Sequence, residues 1–157
     1  MTDKINLFAA APALMQEWQQ AMISLSHAAS LEADLCELVR MRASQINGCV
    51  NCINLHYAIA SDNGETGQRL ALLPAWREAP CYSERERAAL GWTEALTRLA
   101  DGHDRAAAYA ALRAHFSEEE QVKLTLTINI INGWNRIAVG FGLFVDADAI
   151  RSGKAAA

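Results

Sequence analysis

The sequence predicts an all-α protein, and three observations carry that expectation. Ala, Leu, Glu, Gln and Arg dominate, a helix-forming composition. Polar breaks with helix-start and helix-stop chemistry recur at short intervals. No stretch alternates apolar and polar residues with period two for long enough to build a sheet.

The elements follow in order. A first helix runs from about Pro12, a residue favoured at the first helical position, to His27. Ser30 is expected to cap a second helix through about Ile46, with Leu31, Leu35, Leu38, Val39 and Ile46 as its apolar stripe. Asn47-Gly48 stops it, because glycine readily takes the left-handed conformation after a helix end. A third helix starts at about Cys49 and ends near Asp62, before Asn63-Gly64; a short one covers Thr66 to Leu73. Pro74 to Tyr82, with two prolines, reads as a crossing loop. Ser83-Glu84-Arg85-Glu86 is a capping box and opens a helix to about Ala100, broken by Asp101-Gly102. A helix from Asp104 to His115 follows. Ser117-Glu118-Glu119-Glu120 is a second capping box opening the longest helix, to about Val145, with Asn132-Gly133 and Gly140 as expected kinks. Residues 1–150 read as a single domain and 151–157 as a disordered tail.

With 157 residues, 52% of them hydrophobic and 20% charged, the chain has enough apolar material for one packed core, which excludes intrinsic disorder. The longest apolar run, Ile137 to Val145, has nine residues including two glycines, far short of the roughly 20 that span a bilayer. No membrane partner is expected. Fourteen Lys and Arg against 18 Asp and Glu give a net charge of −4 with no basic cluster, which argues against nucleic acid. Leu7 to Met15 is apolar, but Asp3 and Lys4 cancel, so the basic start of a signal peptide is missing. The expected compartment is the cytoplasm, where thiols stay reduced.

In that setting the four cysteines, Cys36, Cys49, Cys52 and Cys81, are not needed as staples. A close pair points instead to redox or metal chemistry. Cys49, Cys52 and His56 lie at i, i+3 and i+7, one face of a helix. Cys49 also falls at a helix start, where the free N–H groups and the helix dipole favour a thiolate. Peroxide chemistry needs these residue types. A thiolate must attack the O–O bond, a second thiol must capture the sulfenic acid, and a proton must reach the departing alkoxide. His56 can relay that proton, and Glu37, one helix earlier in the same hairpin, is the candidate carboxylate. The metal alternative shows three ligands where zinc wants four, or three plus water.

Glu37-x11-Cys49-x2-Cys52-x3-His56, approached through Ser44-Gln45-Ile46-Asn47-Gly48, resembles the signature of the AhpD-like alkylhydroperoxidases of the carboxymuconolactone decarboxylase superfamily. The match is strongest over Leu31 to Gly64. Trp76-Arg77-Glu78, Arg87-Ala88-Ala89-Leu90 and Ile131-Asn132-Gly133-Trp134-Asn135-Arg136 are similar to the peroxidase-related members. The resemblance implies an AhpD-like helical fold with the Cys-x-x-Cys at a helix start in a central hairpin, assembled as a homo-oligomer, a trimer or hexamer. It implies Cys52 as the peroxidatic cysteine, Cys49 as the resolving one, and Glu37 and His56 as the relay that activates Cys52. The substrate would be an organic hydroperoxide. No cofactor would be bound; an external dithiol such as lipoamide, on a lipoylated carrier or with a peroxiredoxin partner, would recycle the disulfide. The helix dipole, by contrast, favours Cys49 as the more acidic thiol. Peroxidase members can carry a further histidine between the cysteines; here Asn51 stands there and cannot take a proton. The decarboxylase branch does not depend on such a pair. The alternatives are a non-catalytic redox sensor or metal holder using the same cysteines, and a carboxymuconolactone decarboxylase-like small-molecule enzyme.

Cys36 and Cys81 read as structural, Trp76, Trp92 and Trp134 as packing anchors, and Ser44 as a neighbour of the groove near Glu37.

Overall fold

The structure is a computed structural model that describes residues 4–102 and 105–146. The expected tail, residues 151–157, lies outside them. Among the described residues eight α-helices follow one another and there is no strand. They are α1 (Leu7–Ala10), α2 (Pro12–Ala28), α3 (Ala33–Asn47), α4 (Val50–Asp62), α5 (Gly67–Leu72), α6 (Glu84–Thr97), α7 (Arg105–His115) and α8 (Glu118–Phe141). Short 3-10 turns at Leu73–Ala75 and Leu99–Asp101 extend α5 and the end of α6.

Helix α3 is the axis of the molecule. It packs against α4, α6 and α8 and is therefore buried on several sides rather than along one stripe. Leu38 and Met41 join Leu70, Leu73, Trp76, Tyr82 and Leu90 in one part of the core. Leu35 and Val39 face Leu112, Phe116, Leu124 and Ile128 in a second. Ala43 meets Cys49, Cys52, Ile131 and Ala138 in the third, the part that holds the cysteine pair. Each fully buried Leu or Ile contributes about 1.5–3 kcal/mol relative to exposure, so these contacts fix where α3 presents its few polar side chains.

Both predicted capping boxes form in full. Ser83 accepts from the Glu86 N–H and Glu86 accepts in return; Ser117 and Glu120 do the same. Three expectations need correction. Ser30 does not cap α3; its hydroxyl donates to the Leu31 carbonyl, and Glu32 takes the N-cap position without a side-chain bond. The longest helix runs on through Asn132-Gly133 and Gly140, and it ends at Phe141, capped by Gly142, not at Val145. A Cβ at Gly133 would make an ordinary 3.6 Å contact with the Trp18 ring, which stacks edge-on against Trp134 at 4.3 Å. Helix α6 ends at Thr97 rather than Ala100, where the chain tightens into 3-10. The one-turn helix α1, capped by the Asn6 side chain, was not visible in the pattern because four residues are too few for a period.

The α3–α4 turn sets the position of the cysteines. Gly48 has φ +63°, and its N–H bonds back to the Gln45 carbonyl. A Cβ there would meet no atom within 4 Å, so the cost of a side chain is conformational alone. Gly48→Ala is expected to lower stability by about 1–2 kcal/mol, the left-handed penalty, as read by chemical denaturation. An unchanged denaturation midpoint would show that the turn is not held in this conformation.

Candidate active site

Helices α3 and α4 form the antiparallel hairpin that the spacing anticipates, and α8 closes its side. Glu37, in the second turn of α3, is 3% exposed. Its Oε2 lies 2.8 Å from His56 Nδ1, and its Oε1 is 2.5 Å from Arg40 Nη1. Arg40 in turn donates to the Ser26 hydroxyl at 3.0 Å. An ionised carboxylate can only accept, so Nδ1 donates the proton of this hydrogen bond, which leaves Nε2 as the ring nitrogen free to exchange a proton. Burial pushes the Glu37 pKa up. The hydrogen bond and charge of His56 and the charge and hydrogen bond of Arg40 outweigh it and hold the carboxyl below its usual value of 4.5.

Cys49 is the N-cap of α4, and its sulfur accepts the Cys52 N–H at 3.3 Å, the part that Ser or Asp plays at other helix starts. Both cysteines are free thiols and buried. Burial first, then the hydrogen bond and charge of Cys49, push the Cys52 thiol up to about 12, while bonds from Asn135 and Asn51 act in the opposite direction. In this reduced state Cys52 is therefore protonated near neutral pH.

The structure thus brings Glu37 to His56 and Cys49 to Cys52. Among the described residues no hydrogen bond joins the two pairs directly. Nor do three His, Cys, Asp or Glu side chains there converge in a metal-holding group.

Three features were missed. Arg40 completes the Glu37 site, and the signal was present: an acid and a base three residues apart on one helix. A buried amide network is the second. The Asn47 amide donates to Asn132 and Asn135 oxygens at 2.9 and 2.8 Å, and the Asn135 amide donates to Ser44 Oγ at 3.1 Å. Ser44 therefore faces α8 and this network, which holds Asn135 against Cys52. The third is the position of Asn51. Its Oδ1 accepts the Val145 N–H at 2.8 Å, so it anchors the chain beyond α8.

The remaining sequence candidates are packing residues. Cys36 is buried, and Cys81 packs against the first part of the core. Trp92 donates to Thr125 Oγ1 at 3.0 Å. Trp76 donates to Glu94 Oε1 at 3.0 Å, and Arg42 and Arg77 bind the same buried carboxylate.

Several of these carboxylates make stability depend on pH. Glu37 and Glu94 are held below 4.5, and Glu120, bonded to the Ser117 backbone and Arg85, is held near 2. As pH falls, the unfolded chain takes up protons before the folded one. The stabilisation is therefore complete above about pH 4.5 and is lost as pH drops through the folded values. Thermal unfolding from pH 7 to 3 should show a Tm that holds to about pH 5 and then declines. A Tm rising on acidification would contradict these placements.

The site is thus a helical hairpin with a buried Cys-x-x-Cys at the start of its second helix and a hydrogen-bonded Glu–His pair on the same two helices. The sequence model of the carboxymuconolactone decarboxylase family matches residues 9–95, and the chain belongs to that family, on its AhpD-like side. A Bacillus subtilis protein, YdfG, whose function is uncharacterised, is 37% identical over 142 residues, covering 90% of this chain and 96% of YdfG. A crystal structure of an Agrobacterium tumefaciens protein of unknown function, assigned to AhpD antioxidant defence, superposes with a TM-score of 0.85. It is 40% identical, over 92% of this chain and 99% of that one. The debrominase Bmp8 shares the fold at a TM-score of 0.73 and 22% identity, over 89% of this chain and 76% of Bmp8.

Proposed function

We propose that the protein is a thiol-dependent peroxidase that reduces organic hydroperoxides through Cys49 and Cys52. The observation that carries the reading is the buried Glu37–His56 hydrogen bond on the hairpin that holds the two thiols. Family membership and the likeness to an AhpD-assigned structure support it.

The residues divide the labour as follows. A Cys52 thiol pushed up to about 12 is a poor nucleophile and needs a base when substrate arrives. His56 Nε2 is that base, acting through water, and Glu37 orients the ring and stabilises the imidazolium it becomes. The Cys52 thiolate attacks the distal peroxide oxygen; the O–O bond breaks, and the departing alkoxide takes the proton from His56. The Cys49 thiol then condenses with the Cys52 sulfenic acid, forming the disulfide and releasing water. A dithiol such as dihydrolipoamide, free, on a lipoylated carrier or beside a peroxiredoxin partner, returns two electrons and two protons. The cytoplasm is the compartment that keeps such thiols reduced. No helix among the described residues is long and apolar enough to cross a membrane.

A homo-oligomer, trimeric or hexameric, belongs to the same proposal. Helix α2 has 17 residues but buries Met15 alone, leaving Leu14, Ile23 and Leu25 between 42% and 65% exposed. Apolar side chains in such number on one helix suit a contact between copies.

The test is consumption of an organic hydroperoxide with dihydrolipoamide as reductant. Turnover supports the reading. No turnover by protein whose Cys49 and Cys52 are verified as reduced rejects it. The sensor role, or another small-molecule reaction such as the dehalogenation named for Bmp8, then becomes the better account.

A further inference from the structure

Beyond α8 the chain turns back across the start of α4. Residues 142–145 form a strap there, fixed by side chains of α4. Asn51 Oδ1 accepts the Val145 N–H at 2.8 Å, and Asn54 Nδ2 donates to the Val145 carbonyl at 2.9 Å. Both polar groups of one backbone residue are thus held by two amides three positions apart on one helix face. Lys4 packs against Gly142, and its ammonium donates to the Val139 carbonyl at 3.1 Å, closing the other end.

Between strap and helix lies a groove of about 280 Å³. Cys49 lies at its base, and Val50, Val139, Leu143 and Phe144 line its sides; Cys52 does not reach it. No charged side chain lines it. The groove does not bare the sulfur: Cys49 is 1% exposed and Cys52 4%. Neither thiol is open to a bulky reagent while the strap is down, and the surface over Cys49 is held by two hydrogen bonds, each worth about 1 kcal/mol net. Both cysteines share one part of the core with Ala43, Ile131 and Ala138, but of the two it is Cys49 that also lines the groove.

We propose that the strap is a latched cover over Cys49, and that the reducing thiol enters at Cys49 through this apolar groove rather than at Cys52. This rests on the proposed peroxidase cycle for its supply of disulfide. The chemistry balances at the atoms present. The reductant thiolate bonds to Cys49 Sγ, the Cys49–Cys52 bond breaks, and Cys52 leaves with the electron pair beside the Asn135 and Asn51 amides, then takes a proton. The second thiol of the same dithiol attacks its partner sulfur, releasing Cys49, which is protonated in turn. The dithiol departs as a cyclic disulfide, oxidised by two electrons. The apolar walls suit an aliphatic dithiol.

The experiment uses the intact reduced protein and needs no peroxide, so its failure is distinct from failure of the peroxidase reading. N-ethylmaleimide labelling is quenched over time, and each cysteine is quantified on its own peptide by mass spectrometry. Cys49 is expected to be labelled before Cys52. Asn54→Ala, which removes one latch, is expected to speed Cys49 labelling by about fivefold and leave Cys52 unchanged, the loss of one hydrogen bond. Phe144→Ala, at a residue 61% exposed, provides a second variant whose fold is not at risk and should act in the same direction. Labelling of Cys52 first, equal acceleration of both cysteines, or no acceleration in either variant would overturn the proposal.

Discussion

Cys52→Ser is expected to remove hydroperoxide turnover by about three orders of magnitude or more, since a serine hydroxyl at that site has no accessible anion to attack oxygen. Cys49→Ser should behave differently. Its Cys52 remains competent for one turnover, but no thiol captures the sulfenic acid, so the product accumulates further oxygens. Mass spectrometry after peroxide exposure reads this as sulfinic acid on the Cys52 peptide. A second consequence comes from the electrostatics. Cys49 is one of the groups that push the Cys52 thiol up. A serine there cannot ionise, and losing the charge of Cys49 should bring the Cys52 pKa down from about 12, visible as thiolate absorbance appearing at lower pH than in the parent. Equal turnover in the parent and both variants would remove the pair from the chemistry.

Glu94→Leu is expected to be the most destabilising single change outside the apolar core, by about 3–5 kcal/mol. Glu94 on α6 is 3% exposed. Its Oε1 accepts from Arg42 at 2.8 Å and from Trp76 at 3.0 Å, and its Oε2 accepts from Arg77 at 2.6 Å. Burial opposes ionisation here, and the bonds from Trp76, Arg42 and Arg77, with the charge of Arg42, overcome it. Without the carboxylate, the Arg42 charge, on a side chain 8% exposed, is left inside the protein and the indole N–H has lost its acceptor. The asymmetry of the network supplies an internal control. Arg77 is 60% exposed on its side chain, so Arg77→Ala should cost no more than about 1 kcal/mol. Denaturation midpoints of the two variants check both values; a Glu94 variant as stable as the Arg77 one would contradict the buried-charge account.

Local signals carried most of the fold. Ser83 and Ser117 each announce a helix start with an acid three residues on, and both boxes form. Asn47-Gly48 announces the turn that places Cys49 at a helix N-cap. The i, i+3, i+7 spacing put Cys49, Cys52 and His56 on one helix, and Glu37 and His56 meet because the hairpin is tight. What stayed hidden depends on distant chain segments. Nothing near Asn47 in sequence announces a bond to Asn135, 88 positions away, and nothing near Asn51 announces a bond to Val145. Ser30 shows the limit of a local rule, since its hydroxyl has a competing carbonyl one residue on.

The most direct measurement is the mass of the protein after one equivalent of organic hydroperoxide, with no reductant present. The account predicts loss of two hydrogens, localised to a disulfide between Cys49 and Cys52, with one equivalent of the corresponding alcohol formed. Intact thiols with the hydroperoxide unconsumed, or oxidation confined to Cys36 or Cys81, would contradict it.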